Sequence, residues 1–172
     1  AACHSYMPKL KDKMQIDEPA EEFSVMTIEQ DELGQDHIKM QQYYKGVKVY
    51  GGQVYLHGSD AKINLFNGTF YPTPQIEELT PSISGDSATR VALDDMNEGT
   101  IVKKLSDLEK TILNYSQPDR ELVIYHSEKD TESERLAWHL TVRPNFIERW
   151  EYFVDAMTGE IIHKYDNTIK DG

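Results

Sequence analysis

The chain has 172 residues, with thirty acidic against eighteen basic side chains and a net charge of −12. Its length suits one large domain or two small ones, and such acidity argues against nucleic acid or anionic membrane as a partner, since both need clustered positive charge. One cysteine, Cys3, excludes an internal disulfide framework and any multi-cysteine metal centre.

Residues 1–22 mix charges with Pro8 and Pro19, show no sustained period, and read as a loosely held arm. The chain begins AACHSYMPKL, without Met, a basic region or an apolar stretch, as a processed or trimmed N-terminus would. Ala1-Ala2-Cys3 also fits the end of a lipoprotein signal, which would place an acylated Cys3 at a cell surface. Phe23, Val25 and, out of phase by one, Ile28 suggest a first strand that Gly34 stops. From Asp36 to Gly52 the sequence reads DHIKMQQYYKGVKVYGG, and apolar and polar residues alternate with a period of two. Lys45-Gly46 is a turn signal, Gly51-Gly52 breaks the alternation, and Val54 and Leu56 resume it. A strand at 63–66 follows, and Asn67-Gly68 is expected to turn the chain again. Closely spaced strands of this kind form an antiparallel, twisted sheet.

The spacing of His37, Gln41, Gln42, Tyr44, Gly46, Val49, Gly51 and Gly52 closely resembles the FTP domain, which opens the propeptides of fungalysin- and thermolysin-type zinc metalloproteases. The likeness covers residues 23–71.

Residues 72–85 hold Pro72, Pro74 and Pro81 and form an extended connector between two units. The period then becomes helical. Ser84 or Asp86 can cap a first helix whose Ala88, Val91, Ala92 and Met96 share a face, with Gly99 at its end. Thr100 is expected to cap a second helix over 101–113, with Ile101, Leu105, Leu108 and Ile112 in one stripe. Four strands close the chain. Leu122, Ile124 and His126 alternate in the first, and a solvated loop from Ser127 to Glu134 leads to Leu136, Trp138, Leu140 and Val142. Trp150, Tyr152 and Val154 make the third, the Asp155-to-Gly159 turn follows, and Ile161, His163 and Tyr165 make the fourth.

The fold class is therefore α+β: two small domains, each an antiparallel twisted sheet, the second with helices packed on one face. The aromatic strand, the turn carrying Asp155, Ala156, Thr158 and Gly159, and the strand ending Lys164-Tyr165 look like a PepSY domain, the second half of the same propeptides. That likeness implies a cystatin-like architecture over 86–166. Its second helix is longer than such domains carry.

No His-Glu-x-x-His motif occurs among the six histidines, nor any Gly-x-Ser-x-Gly elbow or phosphate-cradling loop. His126 and His139 read as satisfied sheet histidines rather than zinc ligands. No catalytic constellation, metal site or cofactor site is expected in this chain, so its function is binding.

The resemblance implies a propeptide that assists the folding of a secreted zinc metalloprotease and inhibits it until cleaved away. The partner is then the mature catalytic domain, which would carry zinc and calcium of its own. Aromatic anchors for it are expected at Trp150, Tyr152 and Phe153, with Trp150 and Tyr152 on one face and Phe153 on the other. The tail Asn167, Thr168, Ile169, Lys170, Asp171 and Gly172 would lead to the processing site and make extended, substrate-like contacts. A free-standing, secreted or lipid-anchored module that holds proteases or a peptide is the competing reading.

Overall fold

The computed structural model describes residues 6–60, 62–127 and 134–169. Cys3, Lys170, Asp171, Gly172 and most of the loop expected between Ser127 and Glu134 lie outside that range. The chain divides into two compact units, Ala1–Gln75 and Ile76–Gly172, so the division falls inside the proline-bearing connector. The class is α+β.

The first unit is an antiparallel meander of β1 (Phe23–Gln30), β2 (Asp36–Tyr44), β3 (Val47–Ser59) and β4 (Lys62–Thr69). Alternation places Ile38 opposite Leu56 and Met40 opposite Val54, and these four side chains bury on one face with Phe23. A 3-10 turn at Met7–Leu10 and two single turns, α1 (Lys11–Met14) and α2 (Pro19–Glu22), cover that face. Met7, Met14 and Ile16 are 1%, 3% and 1% exposed.

Residues 6–22 therefore pack on the sheet through Met7, Met14 and Ile16 and are not a loose arm. Their turns are too short to show a helical period, and only the opposing sheet gives the three apolar residues a common destination. Ile16→Val should accordingly cost about 1 kcal/mol. An unchanged urea midpoint would mean that the segment is not packed as described.

Three local readings of the first sheet change. The phase slip at Ile28 is a β-bulge between Val25 and Thr27. Gly51-Gly52 does not end a strand, because β3 runs unbroken from Val47 to Ser59. Asn67-Gly68 lies inside β4, and the turn falls at Asp60, whose φ is 50°. Gly68 is needed for close approach: with φ at +117°, a Cβ there would sit 2.3 Å from the Gln53 carbonyl oxygen.

In the second unit, α3 (Gly85–Gly99) and α4 (Asp107–Leu113) precede the meander β5 (Asp119–His126), β6 (Glu134–Val142), β7 (Trp150–Asp155) and β8 (Ile161–Asp166). Ser84 caps α3 by accepting from the Ser87 amide. Ala88, Ala92 and Met96 of α3 then pack on Leu140, Val142, Tyr152 and Val154.

The second helix is shorter than the sequence period implied. The Lys103 amide donates to the Pro144 carbonyl at 2.8 Å, which takes 101–105 out of a helical path. Ser106, not Thr100, is the cap, in a reciprocal capping box with Glu109. The expected stripe is correspondingly unburied: Ile101, Leu108 and Ile112 are 85%, 70% and 62% exposed, and only Leu105 is buried.

Candidate functional site

In the first unit the side chains that stand out are amides. Between the pairs Gln41–Gln53 and Tyr43–Lys48, β2 advances past one residue and β3 past four, Val49 to Gly52. Gln41 lies under this wide bulge. Its Nε2 donates to the carbonyls of Gln42 (3.0 Å), Val49 (2.8 Å) and Gly52 (2.9 Å), and its Oε1 accepts from Gln53 at 3.1 Å. Gln42 fills the other side, donating to the Tyr71 carbonyl and accepting from the Tyr71 amide at 3.0 Å. A Cβ on Gly52 would stand 2.9 Å from the Gln42 Cβ, so only glycine lets the strand come this close.

His37 is bound on both ring nitrogens. Nε2 lies 3.0 Å from Asp31 Oδ2 and Nδ1 lies 2.6 Å from Nδ1 of His57, its cross-strand partner. The amide of Gln35 and then His37 hold Asp31 below the usual carboxylate range. These contacts fix the Asp31–Gln35 turn against the β2–β3 pair. They leave no ring nitrogen of His37 for chemistry.

In the second unit the face of the sheet away from α3 carries an aromatic and charged array. Phe153 stacks between Tyr125 (ring centroids 4.3 Å apart) and His139 (4.8 Å), and His163 and Tyr165 extend the layer. Beside it Glu151, 2% exposed, accepts from His139 (2.8 Å), Thr141 (2.8 Å) and Asn167 (3.0 Å) and pairs with Arg149 at 2.9 Å. Burial alone would raise its pKa, but the hydrogen bonds from His139, Asn167 and Thr141 outweigh that and hold it at about 2.

Only part of the expected anchor set is open to a partner in this chain. Trp150 is half-buried, and its indole N–H donates to Glu148 at 3.0 Å. Tyr152 and Phe153 are 1% and 0% exposed, which corrects the expectation of exposed aromatic anchors at both positions. Tyr152 is covered by α3 and its hydroxyl donates to Asp95 at 2.7 Å; burial and that carboxylate push its pKa up. Phe153 is covered by the neighbouring rings of its own face.

Asn167 and Thr168, the first residues of the tail, are held against Arg149. The Asn167 amide donates to the Arg149 carbonyl at 2.7 Å, and the Thr168 hydroxyl accepts from the Arg149 amide at 3.0 Å. Ile169, 88% exposed, leaves from this clamp. The Glu151 cluster, which holds Asn167, has little signature in the sequence. Its one sequence signal is the charged residue between Trp150 and Tyr152.

Among the described residues no three His, Cys, Asp or Glu side chains converge to hold a metal ion, and no helix is long and apolar enough to cross a membrane.

Residues 21–70, which span the four strands and their bulge, match the Fungalysin/Thermolysin Propeptide Motif. The first unit is therefore similar to this propeptide motif. The resemblance carried by His37, Gln41, Gln42, Gly46, Gly51 and Gly52 is thereby borne out for the first unit. Within the matched segment Gln41, Gln42 and Gly52 hold the bulge, and His37 holds the Asp31–Gln35 turn.

Similarity extends beyond the motif. The chain is 29% identical to the bacillolysin of Brevibacillus brevis over 94% of its own length and 30% of that protein. It is also 29% identical to the thermolysin of Alicyclobacillus acidocaldarius subsp. acidocaldarius, over 95% of its own length and 29% of that protein. The chain thus spans about three-tenths of the length of the curated relatives it matches. Among solved structures, the Bacillus megaterium YpeB C-terminal domain aligns with 96% of this chain and 63% of its own, at 15% identity and a TM-score of 0.43. That likeness is too distant to carry an argument.

Proposed function

We propose that the chain is the propeptide of a secreted thermolysin-like zinc metalloprotease, acting as an intramolecular chaperone and then as an inhibitor of the catalytic domain. The observation that carries this reading is the reach of the similarity. The motif spans only 21–70, yet relatives named bacillolysin and thermolysin match 94% and 95% of the chain while exceeding it about threefold in length. In this reading the second unit is the PepSY-like, cystatin-like half. Zinc and calcium belong to the catalytic domain, and this chain contributes binding alone.

Both roles follow from one complex. A preformed partner that binds the native protease and not its unfolded chain stabilises the native state by linkage. The same complex obstructs the cleft while it lasts. An interface that holds a protease latent buries on the order of 1,200 Å² or more. Asn167 and Thr168, clamped at Arg149, start the segment that leads toward the cleft, with Ile169 its first free apolar side chain.

The test is refolding of the denatured catalytic domain of the same precursor, with and without this chain added in trans. The expected result is a large gain in recovered peptidase activity at low chain concentration and inhibition at micromolar chain. Equal recovery with and without the chain, together with no inhibition, overturns the proposal.

A further inference from the structure

The helical stripe expected at 101–113 is instead the start of an exposed apolar patch. The segment 101–105 lies beside the loop 144–148, joined to it by the Lys103 amide on the Pro144 carbonyl (2.8 Å) and by Asn145 Nδ2 on the Ile101 carbonyl (3.4 Å). Asn145 also shapes the loop, its Oδ1 accepting from the amides of Ile147 (3.0 Å) and Glu148 (2.9 Å). One side chain thus fixes both halves of a surface on which Ile101, Val102, Phe146 and Ile147 are 85%, 47%, 42% and 74% exposed. Four large apolar residues so placed exceed the scattered exposure that a soluble surface normally carries.

Three cations border this patch, together with Glu148, whose carboxylate is engaged by Asn145 and by the Trp150 indole. Lys103 and Lys104 are exposed and Arg143 is half-buried next to the loop. Among the described residues none of the three takes part in an ion pair. Glu109, the carboxylate that senses Lys103, is engaged by Ser106 in the helix cap. In a chain of net charge −12, three cations outside any ion pair at the border of an apolar patch bias what can sit there. An acidic surface with an apolar depression is favoured, and a basic or uniformly polar one is not. An anionic bilayer would meet the same three cations, so vesicle binding is made one arm of the test.

We propose that Ile101, Val102, Phe146 and Ile147, bordered by Lys103, Lys104 and Arg143, form a docking surface for a carboxylate-rimmed apolar site on the catalytic domain. The inference rests on the function proposed above and names the face used. It is separate from the tail that leads to the processing site.

The test compares three proteins: the full chain, Ile101→Ser/Ile147→Ser, and Lys103→Glu/Lys104→Glu. All four positions are substituted at solvent-exposed side chains, and thermal unfolding of each variant should match the full chain. Affinity for the separately folded catalytic domain of the precursor is measured at low and high salt. The serine variant should bind roughly tenfold or more weakly at both salt levels. The glutamate variant should associate more slowly and lose most of the salt dependence. Wild-type affinity in both variants overturns the docking surface while leaving the propeptide reading intact. No binding by the full chain itself overturns both. Retention on phosphatidylcholine–phosphatidylserine vesicles that the serine variant loses, with catalytic-domain affinity unchanged, reassigns the patch to membrane and also overturns the proposal.

Discussion

Gln41→Ala should destabilise the first unit by about 4 kcal/mol. The side chain is 1% exposed and its Nε2 serves three carbonyls, those of Gln42, Val49 and Gly52. Truncation strips hydrogen bonds from buried acceptors, at about 1–3 kcal/mol for a group left unsatisfied, and opens a cavity beneath the bulge. Gln41→Met separates the two terms, since it restores volume without a donor and should recover less than half of the loss. Amide exchange across β2 and β3 reads the result directly, and a urea midpoint shift supports it. A loss below about 1 kcal/mol for the alanine variant would show that the bulge holds without its amide.

The second large effect depends on pH. The Glu151 pKa is depressed from 4.5 to about 2, so its carboxylate contributes stability that is complete above the unfolded value. That contribution is lost as pH falls from about 5 through about 2. At about 1.4 kcal/mol per unit, the shift corresponds to about 3 kcal/mol at neutral pH. Glu151→Gln should therefore be less stable than the natural chain by about that amount at pH 7, with the gap nearly closed at pH 2. Asn167 also loses its charged acceptor in the variant, so the amides of 167–169 should exchange faster at neutral pH. A stability gap that stays constant between neutral and strongly acid pH would mean that the ionised carboxylate is not what the cluster stabilises.

Local geometry explains what could be read directly. The propeptide motif is legible because its residues answer to strand alternation, to turns that need positive φ at Lys45 and Gly46, and to a close approach at Gly52. Each constraint acts over a few residues and leaves a spacing behind. The same holds for Ser84, which caps α3, and for the Asp155 turn, where Asp155 Oδ1 accepts from the amides of Met157 and Thr158. The Ser106–Glu109 capping box was equally local, but the apolar stripe from Ile101 onward suggested an earlier helix start.

Sequence and structure part where burial depends on a distant segment. Met14 and Ile16 carry no period that marks them as core, and they become core only because the sheet presents Ile38 and Leu56 to them. Tyr152 and Phe153 looked like anchors because aromatic residues on an amphipathic strand suit an interface and an interior equally. The helix α3 over one and the ring layer over the other decided the matter.

By itself the sequence determined the α+β class, the strand and helix periods, the absence of a His-Glu-x-x-His motif and the spacing of the propeptide motif, because all of these are properties of neighbouring residues. Only the tertiary structure decided that Met7, Met14 and Ile16 are core, that Glu151 gathers His139, Thr141 and Asn167, and that Ile101 and Ile147 are both exposed. Burial and charge environment depend on what packs opposite a side chain, and those partners stand up to tens of residues away along the chain.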